Sequence, residues 1–347
     1  MRNLVSGLLL IVVLVLLVGV VYLVWPSQAR SEQSATNPAP RADAGSTVRP
    51  SEEAQSQPSK DLRRVMEVMQ AIKPLGQPLG KPREGDWLYH HKEHGQPFAV
   101  YLRSDPVVPT TRRRTIYIQP LGEFTAKQRQ VVTLASQYIS ACYGLPVKMQ
   151  KDLSLELIPA SARRTHPSWG DKQILSTYVL DDVLGKRLPK DAFASIAFTP
   201  SDLWPGEGWN FVFGQASLRD RVGVWSIYRF GDPDKDKEEF RQCLRRTIAT
   251  GAHELGHMFS IEHCIYYSCV MCGSNNLPEA DSRPLTFCSV CMGKVLWATG
   301  MTAEDHYSKL AEFCRKQGMD DDAKAFNKAL AAVRGGQGKP ASKPIER

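Results

Sequence analysis

The chain has 347 residues, 42% hydrophobic and 23% charged, which supplies apolar material for one large globular domain or two modest ones and excludes a wholly disordered or collagen-like protein. Lys plus Arg outnumber Asp plus Glu by 44 to 36, a net charge of +8 that leans toward acidic surfaces without demonstrating a nucleic-acid partner. Eight cysteines are too few for a disulfide scaffold at this length, yet Cys264, Cys269, Cys272, Cys288 and Cys291 fall within 28 residues, a crowding that suits a metal.

Leu4 to Trp25 form 22 positions without a charge, nearly all Leu, Val, Ile or Gly. A helix of that length rises about 33 Å, enough to cross a hydrocarbon core of about 30 Å, so a single-pass transmembrane anchor is predicted. A cleaved signal peptide ending near Ser27-Gln28-Ala29 is the competing reading, although its apolar region runs only about 7 to 15 residues. Signal-anchor logic places the bulk of the chain outside the cytoplasm, with the membrane as a partner. From Pro26 to Ser59, Val48 is the only large aliphatic residue. Such a stretch buries too little surface to offset its ordering entropy and reads as a disordered linker over 26–59.

A folded domain is predicted over 60–320. Leu62, Val65, Met66, Met69 and Ile72 recur at helical spacing and stop before Pro74. Strands are predicted at Phe98 to Leu102 and Thr115 to Gln119, then a helix from about Thr125 to Gly144. A helix over about Asp171 to Leu184 and strands at Ser195 to Thr199, Asn210 to Gly214 and Val222 to Arg229 follow, before a long helix from about Lys237 to Phe259. Strands alternating with helices predict an α/β class, a mixed twisted sheet packed with helices. Helices over Ala303 to Gln317 and 321–334 close the chain ahead of a polar tail, 335–347, expected to be disordered.

The run His253-Glu254-Leu255-Gly256-His257 carries the chemistry. Positions i and i+4 share a helix face, so His253 and His257 can offer imidazoles to one metal while Glu254 stands beside it. Zinc catalysis takes three protein ligands and an open fourth position, and His263 is available as the third if the chain turns back. Cys264, Cys269, Cys288 and Cys291 form two pairs whose spacing suits a closed tetrahedral zinc site. Cys272, Cys142, Cys243 and Cys314 read as buried small hydrophobes, or as disulfide partners outside the cytoplasm.

His-Glu-x-x-His-x-x-x-x-x-His followed by Cys264, Cys269, Met271 and Cys288-x-x-Cys291 resembles the archaemetzincin family of zinc metallopeptidases. The resemblance extends from Lys81-Pro82-Arg83-Glu84-Gly85-Asp86-Trp87 through Ile116 to Gly122 and Trp209 to Ser217 to the helices near residue 315. It implies a metzincin-like fold and peptide-bond hydrolysis. It further implies a catalytic zinc on His253, His257 and His263, Glu254 as general base, a structural zinc on Cys264, Cys269, Cys288 and Cys291, and Met271 as the Met-turn residue. Ser260 stands where the family usually has Gly; a left-handed conformation there costs a non-Gly residue about 1 to 2 kcal/mol. The turn is nevertheless expected to form.

The expected substrate is a peptide or protein, laid along a sheet edge for which Asn210 to Gly214 is the candidate. Tyr266 or Tyr267 is available to an oxyanion, although packing is the commoner role, and His90, His91 and His94 read as a solvated loop. The alternative is a catalytically inactive, membrane-tethered zinc-binding interaction module. Its support is the net charge and Arg112-Arg113-Arg114, but no aromatic-interleaved basic stripe accompanies them and no nucleic acid is expected. A module using zinc only to fold has no need of Glu254.

Overall fold

The computed structural model describes residues 62–336, except 218 and 219. Its helices are α1 (Leu62–Ile72), α2 (Trp87–His90), α3 (Phe98–Arg103), α4 (Ala126–Tyr143), α5 (Ser176–Tyr178), α6 (Lys237–Met258), α7 (Leu277–Asp281), α8 (Ser289–Thr299), α9 (Ala303–Lys316) and α10 (Asp320–Gly336). Its strands are β1 (Thr115–Pro120), β2 (Val147–Met149), β3 (Arg163–Thr165), β4 (Lys172–Leu175), β5 (Ala192–Thr199), β6 (Asp202–Trp204), β7 (Gly214–Ser217) and β8 (Val222–Ser226).

Five strands form a mixed sheet in the order β2-β1-β5-β8-β7, and β3-β4-β6 form a second, smaller sheet. The neighbours β2, β1, β5 and β8 run parallel, whereas β7 lies antiparallel to β8 at the edge. Every residue of β5 is buried, as expected for a central strand covered on both faces. The expected mixed α/β architecture is the one observed.

Local chemistry sets the helix ends. Thr125 and Gln128 form a reciprocal capping box at the start of α4, and Gly144 ends it in the left-handed region at φ 62°. Asp236 accepts from the Glu238 and Glu239 amides to open α6, the helix that carries the His-Glu-x-x-His run. The buried faces of α4, α6, α8 and α9 share one core with the sheet, centred on residues such as Tyr138, Ile139, Ile196, Leu255, Met292 and Tyr307. The final helix, α10, packs on α9 and α1 through Phe326 and Leu330.

Four expectations are corrected. Phe98 to Leu102 is helical, because Pro97 opens a turn that places Phe98, Tyr101 and Leu102 on one apolar face. The segment from Asp171 enters as the strand β4 and turns helical only at Ser176; Gln173 and Ile174 are buried between β3 and β6. The edge strand begins at Gly214, where Asn210 to Gly214 had been the candidate. The transmembrane anchor is the fourth: among the described residues no helix is long and apolar enough to cross a membrane, and residues 4–25 lie outside them. Single-pass membrane localisation, an extracytoplasmic placement and the membrane as a partner are therefore not retained. The linker 26–59 and tail residues 337–347 also lie outside the described residues.

Candidate functional site

Three buried histidines converge at the end of α6. His253 and His257 stand one turn apart on the helix, and His263 returns from the turn beyond it, so that one ring nitrogen of each lies within 4.8 Å of the others. His253 Nε2 and His257 Nε2 are 3.0 Å apart. Two imidazoles bound tetrahedrally at the usual Zn–N distance stand about 3.3 Å apart, so the donor set fits a zinc ion.

The opposite nitrogen of each ring is held by an oxygen. His253 Nδ1 lies 2.8 Å from the Val270 carbonyl, His257 Nδ1 lies 2.6 Å from the Ile261 carbonyl, and His263 Nδ1 lies 2.6 Å from the Glu93 carboxylate. A carbonyl can only accept, so Nδ1 of His253 and His257 carries the proton and Nε2 keeps its lone pair. Burial pushes the basicity of His253 down to about 3, and burial with the two neighbouring imidazoles pushes that of His257 far below its ordinary value. Both rings are thus held in the neutral form that a metal requires.

The chain returns for His263 through Ser260, which adopts φ 62°. Three contacts hold that left-handed residue. Its hydroxyl accepts from the Val107 amide at 3.0 Å, its carbonyl accepts from Gln96 Nε2 at 3.0 Å, and its amide donates to the His257 carbonyl at 2.7 Å. Serine thus recovers in a hydrogen bond part of what it loses in backbone freedom. Ser260→Ala is expected to destabilise the domain by about 1 to 3 kcal/mol, because the left-handed cost stays while the Val107 amide loses its acceptor. Ser260→Gly exchanges the two effects and is expected to stay within about 1 kcal/mol of the parent. Chemical denaturation of both variants checks this ordering.

Met271 packs directly beneath the helix. A Cβ built on Gly256 would lie 2.5 Å from Met271 Sδ, so glycine inside the His-Glu-x-x-His run is what admits the sulfur. Glu254 is buried beside His253, and both line a side cavity with Phe213, Thr250, Val270 and Arg283. His257 and His263 face a separate groove of about 810 Å³ bounded by Glu93, Gln215 and Ala216.

Cys264, Cys269, Cys288 and Cys291 form a second buried cluster, with one sulfur of each within 4.8 Å of the others. Cys264 Sγ and Cys288 Sγ are 3.6 Å apart, against about 3.8 Å for two thiolates on a tetrahedral zinc. The surrounding thiols hold the Cys264 proton far more weakly than usual. Both clusters thus have the chemistry to coordinate zinc. Cys272 lies at the margin, its thiol directed to the Tyr267 carbonyl at 3.2 Å, and all eight cysteines are free. Tyr266 and Tyr267 pack against the core, Tyr267 against Gly76.

The histidine-rich loop is more than the solvated segment expected: His91 stacks on Trp87 at 3.9 Å between ring centroids, and Glu93 joins Trp87 Nε1 to His263. Glu93 went unread because its partner lies 170 positions away, and the only signal was a lone carboxylate among His90, His91 and His94. Arg112, Arg113 and Arg114 are exposed.

An α/β domain whose helix presents His-Glu-x-x-His, with a third histidine returned beside it, has the site geometry of a zinc-dependent hydrolase. The profile of Peptidase family M54 matches residues 172–296. Archaemetzincin-2 of Pongo abelii is 32% identical over 296 residues, 75% of this chain and 80% of that protein. The archaemetzincin of Thermococcus kodakarensis is 31% identical over 193 residues, 53% of this chain and 96% of that protein. A solved archaemetzincin of Methanopyrus kandleri is 26% identical, with a TM-score of 0.43, over 56% of this chain and 99% of its own. The chain belongs to the archaemetzincin family, and it is a zinc metallopeptidase. The inactive interaction module gives way to this assignment.

Proposed function

We propose that the protein hydrolyses peptide bonds with two zinc ions in different roles: a catalytic ion on His253, His257 and His263, and a structural ion on Cys264, Cys269, Cys288 and Cys291. The observation that carries this reading is the convergence of three imidazoles whose far nitrogens are each fixed by an oxygen, beside a buried group of four sulfurs. Four thiolates fill a tetrahedral shell, whereas three imidazoles leave a position open. A zinc ion on the imidazoles supplies a Lewis acid that acidifies water and polarises a carbonyl.

The rest of the chemistry belongs to the chain. Glu254 takes the proton from the attacking water and returns it to the departing amine, which completes the cleavage. Its burial beside His253 shields that transfer from bulk solvent. Met271 supports the floor of the site through its contact with Gly256. The substrate backbone is read as pairing with the outer edge of β7, whose Gln215 and Ala216 face the groove that holds His257 and His263. The metallopeptidase domain is assigned to 60–320, with the helix over 321–334 docked upon it.

Elemental analysis tests the two-metal reading. The parent chain is expected to hold two zinc ions and His263→Ala one, with the residual ion resistant to mild chelation. A parent with a single ion that His263→Ala leaves in place would overturn the catalytic site. Glu93→Ala is expected to weaken only the labile ion, by about 10- to 100-fold in affinity, because the His263 ring loses the carboxylate that orients it. Competition with a chelator of known affinity measures that change.

A further inference from the structure

We propose that Lys294 and Gln96 are positioning residues that hold the third histidine in place and tie it to the four-cysteine centre. The inference rests on the two-metal reading above. Lys294 is 2% exposed and Gln96 4%. A buried ammonium and a buried amide require a reason, because each loses hydration that must be replaced in kind.

The replacement leads to the catalytic turn. Lys294 Nζ donates to Gln96 Oε1 at 2.7 Å. An ammonium can only donate, so this contact selects which end of the Gln96 amide faces α8 and directs its NH2 the other way. Gln96 Nε2 then donates to the Ser260 carbonyl at 3.0 Å, while Oε1 also accepts from the Glu262 amide at 3.3 Å. One amide thereby grips both sides of the left-handed turn, and the residue after Glu262 is His263. Tyr101, whose ring lies 5.6 Å from Lys294 Nζ, adds a grip by donating to the Phe259 carbonyl at 2.9 Å.

The other end leads to the sulfur cluster. Lys294 follows Cys291 by three positions on α8, on the same side of that helix. Burial lowers the proton affinity of Lys294, and the neighbouring Cys291, Cys264, Cys288 and Glu262 carboxylate offset that only in part. Four thiolates around a divalent cation carry a net double negative charge, for which the Lys294 ammonium is the adjacent counter-charge. The helix that carries Cys291 thus also carries the side chain that orients Gln96.

Cobalt(II) alone is the probe, titrated into the full-length chain after metal removal. The four-cysteine centre gives thiolate-to-metal charge transfer in the near ultraviolet together with ligand-field bands of its own, so the ligand-field absorption that grows without any further charge transfer reports the three-histidine centre. In Gln96→Leu and in Lys294→Met, cobalt affinity at the histidine centre is expected to fall about 10- to 100-fold, the usual effect of losing an orienting partner. In Gln96→Leu the charge-transfer signal is expected to be unchanged. The double variant is expected to lose no more than the larger single loss, since the two side chains act in series, and Lys294→Arg is expected to recover part of it. Histidine-centre affinities within twofold of the parent in Gln96→Leu would overturn the positioning role, and this variant decides if Lys294→Met does not fold. A parent whose ligand-field absorption stops growing when the charge transfer saturates would overturn the two-metal reading itself.

Discussion

Glu254→Gln is expected to lower turnover by about 10²- to 10⁴-fold while both zinc ions remain bound. The amide occupies the same volume as the carboxylate and leaves the imidazole partners of His253, His257 and His263 untouched. It removes only the capacity to accept a proton from water. Glu254 is buried on α6, and the described residues place no second carboxylate in the cavity it shares with His253. Peptide-library turnover and zinc content, measured on the same preparation, check the prediction. Undiminished turnover with both ions bound would sink the general-base role.

The largest effect on stability is expected at the sulfur cluster. Cys291→Ser, or chelation strong enough to strip the structural ion, is expected to cost several kcal/mol. Structural zinc contributes about 10 to 16 kcal/mol in small peptide domains, whereas whole domains are stable by only about 5 to 15 kcal/mol. The loss should spread to catalysis, because the same segment serves both centres. Cys269 precedes Val270, whose carbonyl holds His253, and the Cys264 amide donates to the Met271 carbonyl at 2.8 Å. Cys272→Ala is the control: Cys272 lies outside the four-sulfur group, so its removal should leave two zinc ions and shift the unfolding midpoint far less. Thermal unfolding with and without chelator separates these outcomes. An unfolding midpoint for Cys291→Ser equal to that of the parent would exclude a structural metal.

The two clusters of candidate metal-binding residues were legible because their pattern is local. The i, i+4 histidines, the following His263 and the paired cysteines lie within residues 253–291, and spacing along the chain constrains what such groups can reach. The same holds for α1, α4 and α6, whose apolar periodicity and caps agree with the observed helices. Short elements were less legible. Phe98 to Arg103 has a composition that suits a strand, and only the fit of Tyr101 beneath Phe259 settles it as a helix. The strand β4 carries too few residues for its alternation to outweigh the helical pattern that follows it.

What the sequence determined by itself was the chemistry on offer: two clusters of metal-binding side chains with different donor types, a carboxylate next to the first histidine, and an α/β frame to carry them. What only the tertiary structure decided was their support. Glu93 and Gln96 come from a loop more than 160 positions before the residues they hold, and Lys294 reaches the catalytic turn from a different helix. The physical reason is that ligation is specified by side-chain type at short spacing, whereas orientation depends on which distant polar atoms burial leaves within hydrogen-bonding reach.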